Sequence, residues 1–87
     1  MSNKNYRTLD GLYKALLKRK KTYACEYTFR KEGWNVIIFN SEETDGFISG
    51  LLIEDLMPVL KRSYWMISYS QLYSRMELVV WVDNDIK

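Results

Sequence analysis

Apolar positions follow one period at the start of the chain and another afterwards. Leu9, Leu12, Tyr13, Leu16 and Leu17 recur at i, i+3, i+4, i+7 and i+8, the stripe of an amphipathic helix. Thr8 is a good N-cap type, and Asp10 sits in the first turn, where a carboxylate suits the helix dipole. Lys18, Arg19, Lys20 and Lys21 close the segment where cations are favoured. The pattern predicts a helix from Thr8 to Lys20, with Asp10 and Lys14 four apart and able to pair.

The period then falls to two. Tyr23, Cys25, Tyr27 and Phe29 alternate with Ala24, Glu26, Thr28 and Arg30, the signature of a half-buried strand. Lys31-Glu32-Gly33 makes a short connection, and Trp34 to Asn40 reads as a second strand rich in β-branched and aromatic residues. Ser41 to Gly46 is acidic and turn-like. Beyond it two readings compete. In one, Phe47 to Ile53 is a third strand and Asp55 caps a short helix through Arg62, with Pro58 in the first turn, where it costs no hydrogen bond. In the other, a single helix runs from Leu51 to Arg62 with Leu52, Leu56, Val59 and Leu60 inward and Pro58 in its interior. The proline favours the first. Tyr64 to Ser70 and Arg75 to Asp83 form a last strand pair around a turn at Gln71–Ser74. Along that final strand Met76, Leu78, Val80 and Val82 face one way, and Arg75, Glu77, Trp81 and Asp83 the other.

The fold class expected is α+β in a single domain of 87 residues, with 1–7 and 84–87 frayed. Two helices pack on one face of a four- or five-stranded antiparallel sheet, in the order αββ(β)αββ. A shift of 43 residues lays Leu17-Lys18-Arg19 on Leu60-Lys61-Arg62 and Val36–Phe39 on Val79–Val82, a weak sign of an αββ repeat. The expected core is Leu9, Leu12, Leu16, Leu17, Cys25, Val36, Ile38, Leu56, Leu60, Ile67, Leu78 and Val80.

Composition narrows the chemistry. The chain contains no His and one Cys, which removes imidazole catalysis, an internal disulfide and the common zinc frameworks. Cys25 falls on an inward strand position and reads as a small hydrophobe rather than a nucleophile. Glu42, Glu43 and Asp45 lack the spacing of a calcium loop. The adjacent pair Glu54-Asp55 diverges, and the four glycines form no phosphate-cradling loop. No catalytic, cofactor or metal residues are assigned, so the expectation is a protein that is not an enzyme. Nothing in the chain reads as a membrane span or signal peptide, and a cytoplasmic location is expected.

Two binding readings remain. Thirteen aromatic residues exceed what so small a core encloses, and Tyr and Trp are the residue types that anchor interfaces. Trp81, Tyr73, Arg75 and Tyr69 are the candidates for docking on another protein. Charge is uneven: residues 1 to 39 carry nine basic and three acidic side chains, residues 40 to 87 four and eight. The first half therefore offers a nucleic-acid alternative, with Lys14, Lys18, Arg19, Lys20, Lys21, Arg30 and Lys31 on phosphates and strand aromatics on bases. The acidic second half and the absence of any established nucleic-acid motif rank it second. A second copy of the chain is a further admissible partner. In size, lack of catalytic residues and density of Tyr and Trp, the chain resembles small phage or mobile-element accessory proteins. That resemblance implies an inhibitor or adaptor that docks on a host protein.

Overall fold

A computed structural model describes residues 5–20, 27–41 and 48–83. The element order is α1 (Leu9–Lys20), β1 (Tyr27–Glu32), β2 (Asn35–Asn40), α2 (Gly50–Leu60), β3 (Tyr64–Ser70) and β4 (Arg75–Trp81). The strands form one antiparallel sheet in the order β1-β2-β4-β3, so each hairpin contributes an inner and an edge strand. This is the α+β arrangement expected from the periodicity. Among the described residues the sheet has four strands.

The first helix starts as its sequence dictates. Thr8 Oγ1 accepts a 3.0 Å hydrogen bond from the Gly11 amide, capping α1, and Leu12 and Leu16 are fully buried. Leu9, Tyr13 and Leu17 lie at the margins of that core. Ahead of the helix, Tyr6 packs against the core and its amide bonds the Arg62 carbonyl, so the segment just before α1 is tied to the end of α2. In the first hairpin the pairing runs through Glu32↔Asn35, so β1 extends two residues into the expected connection and β2 begins one residue later than expected. Gly33-Trp34 is then a two-residue turn, and Gly33 takes the φ of +62° that such a turn needs at its first position. The part of the first predicted strand before Tyr27, with Cys25, and the segment from Glu42 to Phe47 lie outside the described residues.

The second helix corrects the sequence reading. It is one helix from Gly50 to Leu60 with Pro58 inside it, and Asp55 is not its cap. Ser49 caps it, its hydroxyl accepting from the Leu51 amide at 3.0 Å. The proline is tolerated because its missing N–H would have served Glu54, and both residues are exposed, so that carbonyl is left to water. Leu52, Leu56 and Leu60 recur every four residues on the buried side, and that stripe outweighs the proline.

Directly opposed residues in an antiparallel pair share a face, so the register sorts the strands into two faces. One face, packed against the helices, holds Tyr27 and Phe29, then Val36 and Ile38, then Leu78 and Val80. The opposite face carries Ile37, Phe39, Val79 and Trp81, with no helix over it among the described residues. A 43-residue shift would set Val36 of the first face on Val79 of the second. The repeat is therefore one of element order and not of residue register.

One core expectation fails. Ile67 is 42% exposed although its partner Leu78 is fully buried. It stands on the helix side of β3, and the helix layer does not reach that edge strand. Replacing Leu16 by Ala should therefore cost about 2–5 kcal/mol in urea unfolding. Ile67→Ala should cost less than about 1.5 kcal/mol, because some two-fifths of its surface already meets water.

Candidate protein-binding surface

Apart from Trp34 in the first turn and Leu51 on α2, the large apolar side chains left exposed among the described residues lie in the second hairpin. Tyr64, Trp65, Met66, Ile67 and Tyr69 of β3 and Leu72 and Tyr73 of the following turn are all exposed, from 36% at Trp65 to 81% at Leu72. The pairing divides the strand residues. Trp65, Ile67 and Tyr69 oppose Val80, Leu78 and Met76, so they lie on the helix side. Tyr64 and Met66 oppose Trp81 and Val79 on the open face.

Two of the four residues singled out from sequence are well exposed, Tyr69 and Tyr73, at 55% and 54%. Trp81 is half-buried. Its ring stacks on Tyr64 with centroids 6.1 Å apart and planes 22° from parallel, so Tyr64 carries much of the exposure expected of Trp81. Arg75 is built into the sheet rather than offered outward. Its guanidinium lies 3.5 Å from the Phe39 ring centroid and 4.4 Å from that of Tyr73, and its Nε donates to Glu77 Oε2 at 2.9 Å. Both side chains of that ion pair are more than four-fifths covered. Arg75 thus acts as a wedge between Phe39 and Tyr73, fixing the Tyr73 ring through cation–π contact. The turn adds its own restraint: the Tyr73 amide donates to Ser70 Oγ at 3.2 Å, and Ser74 holds a left-handed φ of +53°.

Trp81 and Arg75 therefore share the open face at opposite ends of β4, with Tyr73 beside Arg75, and Tyr69 stands on the other face. Sequence reasoning placed Tyr64 only among the aromatics that could stack on bases, and it missed Trp65, Met66, Ile67 and Leu72. A signal was available: β3 is apolar at both alternating sets of positions, and no charged residue occurs from Ser63 through Ser74.

The basic run of α1 is distributed differently. Successive helix residues point about 100° apart, so the run splays around the axis. Arg19 turns toward α2, donating from Nε to the Asp55 carbonyl at 3.0 Å and lying 3.8 Å from its carboxylate. Lys20 turns toward β1, over the Phe29 ring at 5.3 Å. Lys14 and Lys31 share Asp10, at 3.5 Å and 3.0 Å, and Lys31 also sits over the Tyr13 ring. Arg30 pairs with Glu32 at 2.9 Å. Lys18 is exposed, and Lys21 lies outside the described residues. The structure does not assemble these cations into one face.

No group of three His, Cys, Asp or Glu side chains able to hold a metal occurs among the described residues. No helix among them is long and apolar enough to cross a membrane. No protein-family model matches the chain, and no curated protein or solved structure matches it.

The hydrogen bond from Lys31 and then its charge, helped by Lys14, hold the Asp10 carboxyl below its usual value of 3.8. A depressed carboxylate contributes stability above its unfolded pKa and loses it as pH falls through the folded one. The stability difference between the wild type and Asp10→Asn should accordingly be constant from neutral pH down to about 5, then shrink below 3.8. Urea midpoints measured across that range at low salt would check it. The site is fully exposed, so high salt should flatten the effect.

Proposed function

We propose that this is a non-enzymatic protein-binding module that docks on its partner through the open face of the second hairpin. One observation carries the reading. Tyr64, Met66 and half-buried Trp81 at one end of that face and Tyr73 at the turn end leave large side chains in reach of a partner, and the Arg75 guanidinium, between the Phe39 and Tyr73 rings, holds Tyr73. Rigid aromatic side chains supply contact area at small entropic cost, and clusters of them are typical binding hot spots. The finer assignment is an inhibitor or adaptor of phage or mobile-element type, acting on a host protein in the cytoplasm. It is supported by small size, high aromatic content and uneven charge.

The nucleic-acid alternative draws on the basic residues of the first half, most of which already engage carboxylates or rings within the chain. A phosphate backbone would have to compete for each of them.

Capture from the native host by immobilised wild type and Tyr73→Ala, followed by mass spectrometry, tests the reading. A specific partner should be retained at least tenfold less by the variant, in keeping with the loss of a hot-spot aromatic. Equal capture by both would contradict this docking surface. Random single- or double-stranded DNA or RNA should not bind tighter than about 10 µM at about 150 mM salt. Submicromolar binding abolished by alanine at Lys18, Arg19, Lys20 and Lys21 would transfer the function to the basic helix.

A further inference from the structure

Among the described residues, the outer edge of β3 is the least guarded strand edge. Sheet edges are normally protected by charge, proline, a bulge or a cover, because their free N–H and C=O groups invite another strand. The opposite edge, β1, has such protection: Arg30, Lys31 and Glu32 make up half its length. In β3 no residue is charged or proline, and all seven pair with β4 in unbroken register, without a bulge. Its large side chains are also exposed on both faces of the sheet.

We propose that the chain forms a two-fold dimer in which β3 pairs antiparallel with β3 of a second copy. The sequence of the strand picks out the register. Opposed residues must lie on the same face, and only an axis through Ile67 pairs the strand over its whole length from Tyr64 to Ser70. On the helix side Ile67 then meets the second copy's Ile67, and Trp65 meets the second copy's Tyr69, an aromatic pair made twice. On the open side Tyr64 meets Ser70 and Met66 meets Ser68, each large side chain against a small one. Lys61 and Arg62 are the nearest cations at that end. They fall toward the second copy's uncharged turn at Gln71–Ser74 and not toward each other. The product is one continuous eight-stranded sheet with the helices of both copies on the same side.

Charge neutrality along the strand matters here, because a symmetric contact sets each residue near its own kind and any single charge would be repeated across the axis. The exposed apolar surface of β3 in two copies amounts to roughly 900 Å², below the about 1,200–1,600 Å² of tight complexes. The dimer is therefore a weak one, with a dissociation constant on the order of 10–100 µM. It borders the docking surface above at Tyr64 and Met66, which flank the paired edge, and leaves Trp81 on β4 outside the contact; mass and cross-linking of the isolated chain test it separately from partner capture.

Sedimentation equilibrium of the full chain from about 5 to 500 µM tests it. The weight-average mass should rise from 10.4 kDa toward twice that value. Ile67→Lys sets two ammonium groups across the axis and should weaken association by more than about tenfold. Its far-ultraviolet circular dichroism should match the wild type, since the position is already exposed. Ile67→Cys tests the register by a second route. Facing residues lie within disulfide reach, so on mild oxidation it should cross-link much faster than the wild type, whose single thiol is Cys25. A chain that stays at 10.4 kDa throughout, association unchanged by Ile67→Lys, or cross-linking no faster than the wild type would overturn the proposal.

Discussion

The pairing of β2 with β4 holds the two halves of the molecule together. It is short, Val36↔Val80, Ile37↔Val79 and Ile38↔Leu78, yet it is the only strand pairing between the hairpins among the described residues. The four strand residues that are completely buried, Val36, Ile38, Leu78 and Val80, all belong to it. Above them lie five completely buried leucines, Leu12 and Leu16 of α1 and Leu52, Leu56 and Leu60 of α2. Nine side chains thus form the dry centre, and the other elements are arranged around them. Burial in so small a chain is limited, and the helices are committed to the middle of the sheet. What lies farthest from the middle on the second hairpin is left uncovered.

Much of this arrangement was legible in the sequence, because each periodicity had a single interpretation. The Leu stripe of α1 fits only a helix, and β4 alternates cleanly because one of its faces packs into the core under the helices and the other does not. The second helix was misread because the rule against interior proline holds where the lost N–H leaves a buried carbonyl. At Pro58 that carbonyl faces water, and Leu52, Leu56 and Leu60 decide the outcome. Ile67 was misplaced for a different reason. A strand apolar on both sides ordinarily implies burial on both sides. Whether β3 lay inside the sheet or at its edge depended on strand order, which no local pattern encodes.

The same ambiguity hid part of the candidate surface. Tyr73 and Tyr69 could be found because aromatic residues near a turn have little to pack against. Trp65 and Met66 could not, since they look like core until the sheet order is known. Arg75 shows the converse. A charged residue beside aromatics suggests an outward contact, whereas its guanidinium is enclosed by Phe39, Tyr73 and Glu77. Its role is to shape the surface that its neighbours present. The basic run of α1, prominent in the sequence, disperses once wound on a helix, with Arg19 and Lys20 drawn to different partners.

The account rests on β3 being a paired strand with an open outer edge. Residue-resolved amide hydrogen exchange in dilute solution, where the chain is monomeric, tests that most directly. The amides of Val36, Ile38, Leu78 and Val80 should exchange only through near-global unfolding. From Tyr64 to Ser70 protection should alternate, slow for amides bonded to β4 and fast for those pointing outward. Uniformly slow exchange along β3 would mean that its outer edge is covered, and uniformly fast exchange that the strand is not paired. Either result would contradict the account.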